Sequence, residues 1–153
     1  MTAAAGWRVV RLHHVAFAHQ EPDVPDLLGD LLGLKCGPQE TADGFTERML
    51  ESGESYLQLL EATGPGLIER FVQRRGPGLH HVAFEVSDIA AAVADLRGRG
   101  VRMVDEVPRP GGRGTIIAFI HPQACAGLLV ELVGTAPDDP GGRSGHDAEG
   151  SMS

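Results

Sequence analysis

Aromatic residues are scarce in this chain, making 5% of its 153 residues, so the core must be built mostly from aliphatic side chains. The 42% of hydrophobic residues suffice for one soluble domain with a proper core. There is no excess of basic charge either. A formal charge of −8 excludes a general nucleic-acid binder or a protein held on anionic membrane. Part of that charge is peripheral, because Asp138, Asp139, Asp147 and Glu149 belong to a C-terminal stretch whose basic residue is Arg143. An anionic small molecule can still be met by local arginines. The two cysteines, Cys36 and Cys125, form no CxxC motif and read as free buried thiols of a reducing cytosol. Met1 to Gly6 shows neither a basic nor an apolar leader, and no apolar run approaches membrane-spanning length. A cytoplasmic location without export or membrane insertion is the expectation.

What the chain does have is one hexapeptide used twice. Leu-His-His-Val-Ala-Phe stands at Leu12 to Phe17 and again at Leu79 to Phe84, 67 residues later. That interval is too long for a solenoid repeat and too short for a comfortable independent domain, so two halves of one domain are expected. Each copy alternates with period 2. His14, Ala16 and Ala18 share one strand face, as do His81 and Ala83, while His13, Val15 and Phe17 (and His80, Val82 and Phe84) share the other. A face pairing one histidine with small alanines leaves room beside His14 and His81. His13 and His80 read as structural residues of the opposite face.

Both halves scan in the same order. In the first, a strand at about 9–18 precedes a helix that starts near Val24 or Pro25, carries a stripe of Leu27, Leu28, Leu31 and Leu32, and ends at Gly33. A second strand is expected from Leu34 to Pro38, and Thr41 to Gly44 reads as a turn. Phe45 to Leu50 and Ser55 to Glu61 form a hairpin about Ser52-Gly53-Glu54. A connecting helix at Leu67 to Arg75 is stopped by Gly76-Pro77-Gly78. In the second half, strands are expected at 79–86, 101–107, 115–120 and 127–133. Ser87 or Asp88 caps a helix over Ile89 to Arg99, and Pro108 to Gly114 is a loop. Residues 1–134 thus read as a single domain, with module one at about 8–63, the connecting helix at about 66–75 and module two at about 78–134. Residues 135–153 read as a disordered tail.

The last strands of the halves align Gln58 with Glu131. Both are polar residues inside strands otherwise built for burial, where an unpartnered amide or carboxylate is costly. His14, Gln58, His81 and Glu131 therefore form two symmetric pairs. A strand histidine taken alone is more commonly a packed or solvated group; repetition in both halves is what argues for a ligand. In a cupped sheet the four side chains meet at one centre. Two imidazoles, a carboxylate and an amide oxygen suit a borderline divalent ion such as Zn, Co, Mn or Ni.

The layout and these segments resemble the vicinal oxygen chelate (glyoxalase/bleomycin-resistance/dioxygenase-like) superfamily and, within it, the methylmalonyl-CoA epimerases. The resemblance runs from about Arg11 to Val133. It is densest in Gly76 to Phe84, Gly100-Val101-Arg102, Ala118 to Pro122 and Gly127 to Leu132, with His14-Val15-Ala16, Leu32-Gly33-Leu34 and Leu57 to Glu61 in the first half. It implies an α+β fold of two tandem βαβββ modules forming a cupped mixed sheet, and a homodimer. It places the metal ligands on His14, Gln58, His81 and Glu131. Gly44-Phe45-Thr46-Glu47 matches the family's second glutamate, which gives Glu47 and Glu131 the acid–base roles. The activity implied is metal-dependent interconversion of (2R)- and (2S)-methylmalonyl-CoA by α-proton removal and return.

Two alternatives stand beside it: a glyoxalase I-like or other metalloenzyme of the superfamily, and a non-catalytic small-molecule binder of the same fold. Typical glyoxalase I, by the same resemblance, has glutamate where this chain has Gln58. A binder has no need of an acid–base pair. Arg75, Arg109 and Arg113 are candidates for contacts to the phosphates of the coenzyme.

Overall fold

A computed structural model describes residues 6–135. β1 (Val9–His19), α1 (Val24–Leu32), β2 (Glu40–Ala42), β3 (Phe45–Ser52) and β4 (Ser55–Ala62) make the first half. After α2 (Leu67–Arg75), the second half has β5 (Gly78–Val86), α3 (Ile89–Gly98), β6 (Arg109–Pro110), β7 (Thr115–Ile120) and β8 (Val130–Thr135). All eight strands join one mixed sheet in the order β2-β3-β4-β1-β5-β8-β7-β6. The repeat explains the order. β1 is parallel to β4, β5 is parallel to β8, and the two copies of the hexapeptide lie antiparallel at the middle of the sheet. The expected cupped mixed sheet of two βαβββ halves is thus found.

Period 2 decides what each face meets. In the second half, Ala118, Ile120, Val130 and Leu132 turn to α3 and pack on Ile89, Val93 and Leu96. Each of these helix side chains contributes about 1.5–3 kcal/mol by leaving water. Asp88 caps α3 by accepting from the Ala91 amide at 2.9 Å. Ala83, Ile117 and Val133 turn the other way, into the cup. In the first half, Ala16, Ala18 and Leu60 meet Ile68 and Val72 of α2, so the connecting helix closes one end of the concave face. The two alanines are completely buried in the cluster they form with Leu60, Ile68 and Val72.

Several expectations are corrected. The strand expected at Leu34 to Pro38 is a single bridge between Cys36 and Leu50; β2 forms instead at Glu40–Ala42, where a turn was expected. The Val101 to Val107 strand is likewise only a bridge between Met103 and Ile120, and β6 forms inside the expected 108–114 loop. Both edge strands are short, and edge pairing depends on the neighbour's hydrogen-bonding register more than on apolar content. β8 begins at Val130 rather than Gly127, since Ala126 and Gly127 adopt positive φ at the end of a 3-10 turn. The apolar stripe of α1 does not pack inward: Leu27, Leu31 and Leu32 are 54–68% exposed, and Pro25 is the helix's buried residue. The expected disordered tail lies, beyond Thr135, outside the described residues.

Candidate functional site

Because β1 and β5 run antiparallel, their second histidines meet across the pair, with His14 Nε2 3.1 Å from His81 Nε2. The outer strands repeat the symmetry. Gln58 on β4 stands opposite Ala16, and Glu131 on β8 stands opposite Ala83, each beside the alanine two residues past a histidine. Glu131 Oε2 lies 3.0 Å from His14 Nε2 and 2.9 Å from His81 Nε2. All three residues are buried, and their ligand atoms fall within 4.8 Å of one another. Burial raises the proton affinity of Glu131, but hydrogen bonds from His14 and His81 outweigh it and hold the carboxyl at about 2.

The donor set fits a divalent cation. Two imidazole nitrogens facing each other at 3.1 Å beside a carboxylate oxygen concentrate more lone pairs than shared hydrogens can satisfy. The buried Gln58 Oε1, moreover, has no hydrogen-bond partner. Such an orphan in the interior is costly unless something else meets it. Two nitrogens and two oxygens match the preferences of Zn, Co, Mn or Ni.

His13 and His80, expected to face away, turn toward the same cavity. The cause is a pair of β-bulges. The β1–β5 register slips between Leu12 and His14, and again between Ala16 and Phe17, leaving His13 and His80 as the extra residues. A bulge sends adjacent side chains to the same side. His13 Nδ1 thus lies 2.7 Å from His14 Nδ1, and His80 Nδ1 2.8 Å from His81 Nδ1. One nitrogen of each pair carries the hydrogen. Burial, reinforced by the neighbouring histidines, lowers the affinity of His13 and His80 for a second proton, in His80 to about 4. Two neutral rings therefore buttress the Nδ1 atoms of His14 and His81 while their Nε2 atoms face the centre, as partners of metal-binding histidines do. The doubled histidine was the visible signal, but a bulge cannot be read from a period-2 pattern.

Glu47 reaches the cup from β3. Met49 pairs with Gln58, and Glu47, two residues back, shares its face. Gln58 Nε2 donates to Glu47 Oε2 at 2.7 Å. Desolvation pushes the Glu47 carboxyl up, and a hydrogen bond with its cross-strand partner Glu40 pushes it further, against the opposing pull of Arg113 and Gln58. Arg113 Nε stands 3.9 Å from Glu47 Oε1, on a loop that crosses from the second half. That loop comes so near that a Cβ on Gly112 would sit 3.2 Å from the same oxygen. Sequence reasoning did not foresee Glu40 or this crossing, since both depend on where the short edge strands form.

These groups line one cavity of about 410 Å³, with apolar walls that include Phe45, Met49, Leu67, Ile117 and Phe119. The cavity therefore joins a polar floor of His14, Gln58, His81, Glu131 and Glu47 to a dry wall. It brings together a cation-binding set and two carboxyl groups whose proton affinities are displaced in opposite directions. Such an arrangement is suited to moving a proton beside a stabilised oxyanion.

A model of the Glyoxalase/Bleomycin resistance protein/Dioxygenase superfamily matches residues 13–119. The mitochondrial methylmalonyl-CoA epimerase of Mus musculus is 34% identical over 139 residues, spanning 82% of this chain and 74% of the relative. The structure of methylmalonyl-CoA epimerase from Mycobacterium tuberculosis is similar with a TM-score of 0.80 and 35% identity, over 89% of this chain and 95% of that one. A variant of Streptomyces coelicolor methylmalonyl-CoA epimerase in complex with 2-nitronate-propionyl-CoA gives a TM-score of 0.77 and 34% identity, over 84% and 96%.

Proposed function

This chain belongs to the Glyoxalase/Bleomycin resistance protein/Dioxygenase superfamily, and from that premise we propose that it is an epimerase interconverting (2R)- and (2S)-methylmalonyl-CoA. One observation carries the reading. A single cavity holds Glu47, a carboxyl that retains its proton more readily than usual, and Glu131, a carboxylate held ionised. Environments that push two carboxyl groups apart assign acid and base roles.

The α-proton between a thioester and a carboxylate is weakly acidic, so its removal needs a positioned base and stabilisation of the enolate oxygen. His14, Gln58, His81 and Glu131 would hold one divalent ion, Co, Mn, Zn or Ni, which supplies Lewis-acid charge for that oxygen when bound. Gln58 in place of a second carboxylate leaves the centre more positive, which favours a substrate bearing its own carboxylate. Glu47 and Glu131 are the proton carriers. One, ionised, takes the α-proton from one face of C2, and the other, protonated, delivers a proton to the opposite face. The C–H bond broken on one side is replaced by a C–H bond on the other, with no electron transfer and no covalent intermediate. The apolar walls keep bulk water from the reacting carbon.

We also infer a homodimer in the cytoplasm. Exposed Val9, Val10 and Leu12 on β1, together with Leu27, Leu31 and Leu32 on α1, offer apolar surface to a second copy. Cys36 and Cys125 are free thiols, as a reducing compartment keeps them. Among the described residues no helix is long and apolar enough to cross a membrane.

The test is chiral. Metal-loaded protein given (2S)-methylmalonyl-CoA should bring it to a near-equal mixture of the 2S and 2R forms, and protein stripped by chelator should not. A single unconverted isomer, with one equivalent of metal measured on the protein, contradicts the assignment.

A further inference from the structure

The two halves of the sheet are built alike, but the layer behind each is filled differently. In the first half the ladders set His19, Glu61 and Thr46 in one row across β1, β4 and β3, with Leu59 beside Arg48 in the next. Alternation turns these side chains away from Glu47 and Gln58, which lie between them on the strands. They line a cavity of about 160 Å³ roofed by Pro22, Pro25 and Asp26 at the start of α1. The 67-residue repeat puts Val86 in the place of His19. The second-half ladder likewise puts Gly134, Ile116, Leu132 and Ala118 in the places of Glu61, Thr46, Leu59 and Arg48. There the layer is a dry core closed by Ile89, Val93 and Leu96 of α3. The first half has Pro22, Asp26 and Gly29 at the positions equivalent to those three.

The polar groups of this cavity do not satisfy one another. His19 is 1% exposed, and the backbone of Glu21 serves at most one of its ring nitrogens. Arg48 Nε is buried without a hydrogen-bond partner. Its Nη1 makes only long contacts, 3.4 Å to Asp26 Oδ1 and 3.6 Å to Cys36 Sγ. Glu61 is half-buried and, among the described residues, stands within 4.0 Å of no cationic nitrogen. The second half shows that apolar side chains can fill this layer, so the fold does not require the polar set, and leaving it unmatched is unfavourable. A metal ion does not explain it. Among the described residues, three ligand atoms come close enough for one at His14, His81 and Glu131, not here.

We propose that the cavity under α1 is a binding site for a small α-amino acid in its zwitterionic form. Arg48 and Glu61 are diagonal neighbours on β3 and β4, roughly 7–8 Å apart along the sheet, and they do not pair. A molecule carrying both charges on one carbon fits between them. Its carboxylate lies against the guanidinium fork of Arg48, which suits two oxygens. Its ammonium group lies against Glu61, with the Thr46 hydroxyl and the His19 ring beside it. An anion alone leaves Glu61 and Asp26 opposed to it, and a cation alone leaves Arg48 Nε unmet. The cavity has room for about five water molecules by their share of liquid volume, so it admits only a short side chain, as in glycine, alanine or serine.

Calorimetric titration of the full, metal-loaded chain with glycine, L-alanine and L-serine tests this, beside propionate, which lacks the ammonium group, and ethylamine, which lacks the carboxylate. One equivalent of an amino acid should bind, at least about 10-fold more tightly than either analogue, since each analogue forfeits one set of charge-assisted hydrogen bonds. Arg48→Met should weaken that binding by about 10- to 100-fold for the same reason. Thr46→Ile keeps both charged partners, copies Ile116 of the second half and fills the cavity, so it should abolish binding with the circular dichroism of the folded chain unchanged. No binding of any of the three amino acids at millimolar concentration means that the cavity holds only water and overturns the proposal. Propionate or ethylamine binding as tightly as the amino acids overturns it on the unmodified protein alone. Equal affinity in the two variants and the unmodified protein, the result expected of an amino acid held by the bound metal, overturns it as well.

Discussion

Gln58 donates its amide hydrogen to Glu47 at 2.7 Å and leaves its own carbonyl oxygen buried without a partner. One side chain therefore links the candidate proton carrier to the candidate cation site. The hydrogen bond stabilises the ionised form of Glu47 and so lowers its proton affinity against the upward push of burial and Glu40. Removing it should raise that affinity further. In Gln58→Ala, assayed at saturating metal, the alkaline limb of the kcat/KM profile, where Glu47 loses its proton, should move to higher pH. An alkaline limb at the same pH would show that Glu47 does not control it.

His80 buttresses His81 through an Nδ1 to Nδ1 contact of 2.8 Å while its ring rests on Phe71. His80→Phe keeps a ring of similar shape and removes the nitrogen. Metal affinity should fall about 10- to 100-fold, as for the loss of a hydrogen-bonding partner of a metal-binding histidine, with little change in Tm of the metal-free protein. Competition with a chromophoric chelator measures it. Equal affinity in the two proteins would reduce His80 to a packing residue.

How far the sequence revealed this architecture depends on the range of the interaction. α2 and α3 were legible because their apolar spacing and the flanking Gly76 and Asp88 act locally, and both elements form essentially where those signals lie. The repeat also exposed Gln58 and Glu131 as equivalent positions of the two halves, and the structure sets them opposite Ala16 and Ala83 respectively. β2 and β6 were misplaced because a short edge strand has little pattern of its own and forms where its neighbour's free hydrogen bonds lie. The orientation of His13 and His80 was hidden for a different reason: one extra residue in a ladder reverses the face that alternation assigns. The role given to Glu47 came from the Gly44 to Glu47 motif and its family resemblance, since a glutamate in a hairpin strand carries no chemistry by itself.

Gly134 closes the second half. A Cβ built there would lie 2.8 Å from Ile89 Cγ2 and 2.9 Å from Ile89 Cβ, the first residue of α3. Gly134→Ala must push the start of that helix off the sheet, at a cost of about 1–3 kcal/mol. Urea unfolding should show the midpoint falling with an unchanged slope. An unaltered midpoint would mean that α3 is free to shift.

His19 is buried, and desolvation lowers its affinity for a proton below the ordinary 6.5, outweighing the backbone of Glu21 and the nearby carboxylates of Glu61 and Glu21. The folded chain then binds fewer protons at this position than the unfolded chain. Its contribution to stability is complete above about pH 6.5 and declines as the pH falls below that value toward the lowered folded-state value. His19→Leu should flatten the fall in Tm between about pH 7 and pH 5. Parallel Tm curves for the two proteins would place the acid sensitivity elsewhere.

The central claim is that Glu47 carries a proton to and from C2 of the thioester. The direct measurement is the incorporation of an α-deuteron when metal-loaded protein is incubated with (2S)-methylmalonyl-CoA in D2O, followed by mass, beside Glu47→Gln loaded to the same metal content. The account predicts one deuteron per substrate with the unmodified protein and a rate lower by about 10²–10⁴-fold in the variant, the range expected for loss of a general acid–base group. Undiminished exchange in Glu47→Gln, or none in the unmodified protein with its metal bound, would contradict it.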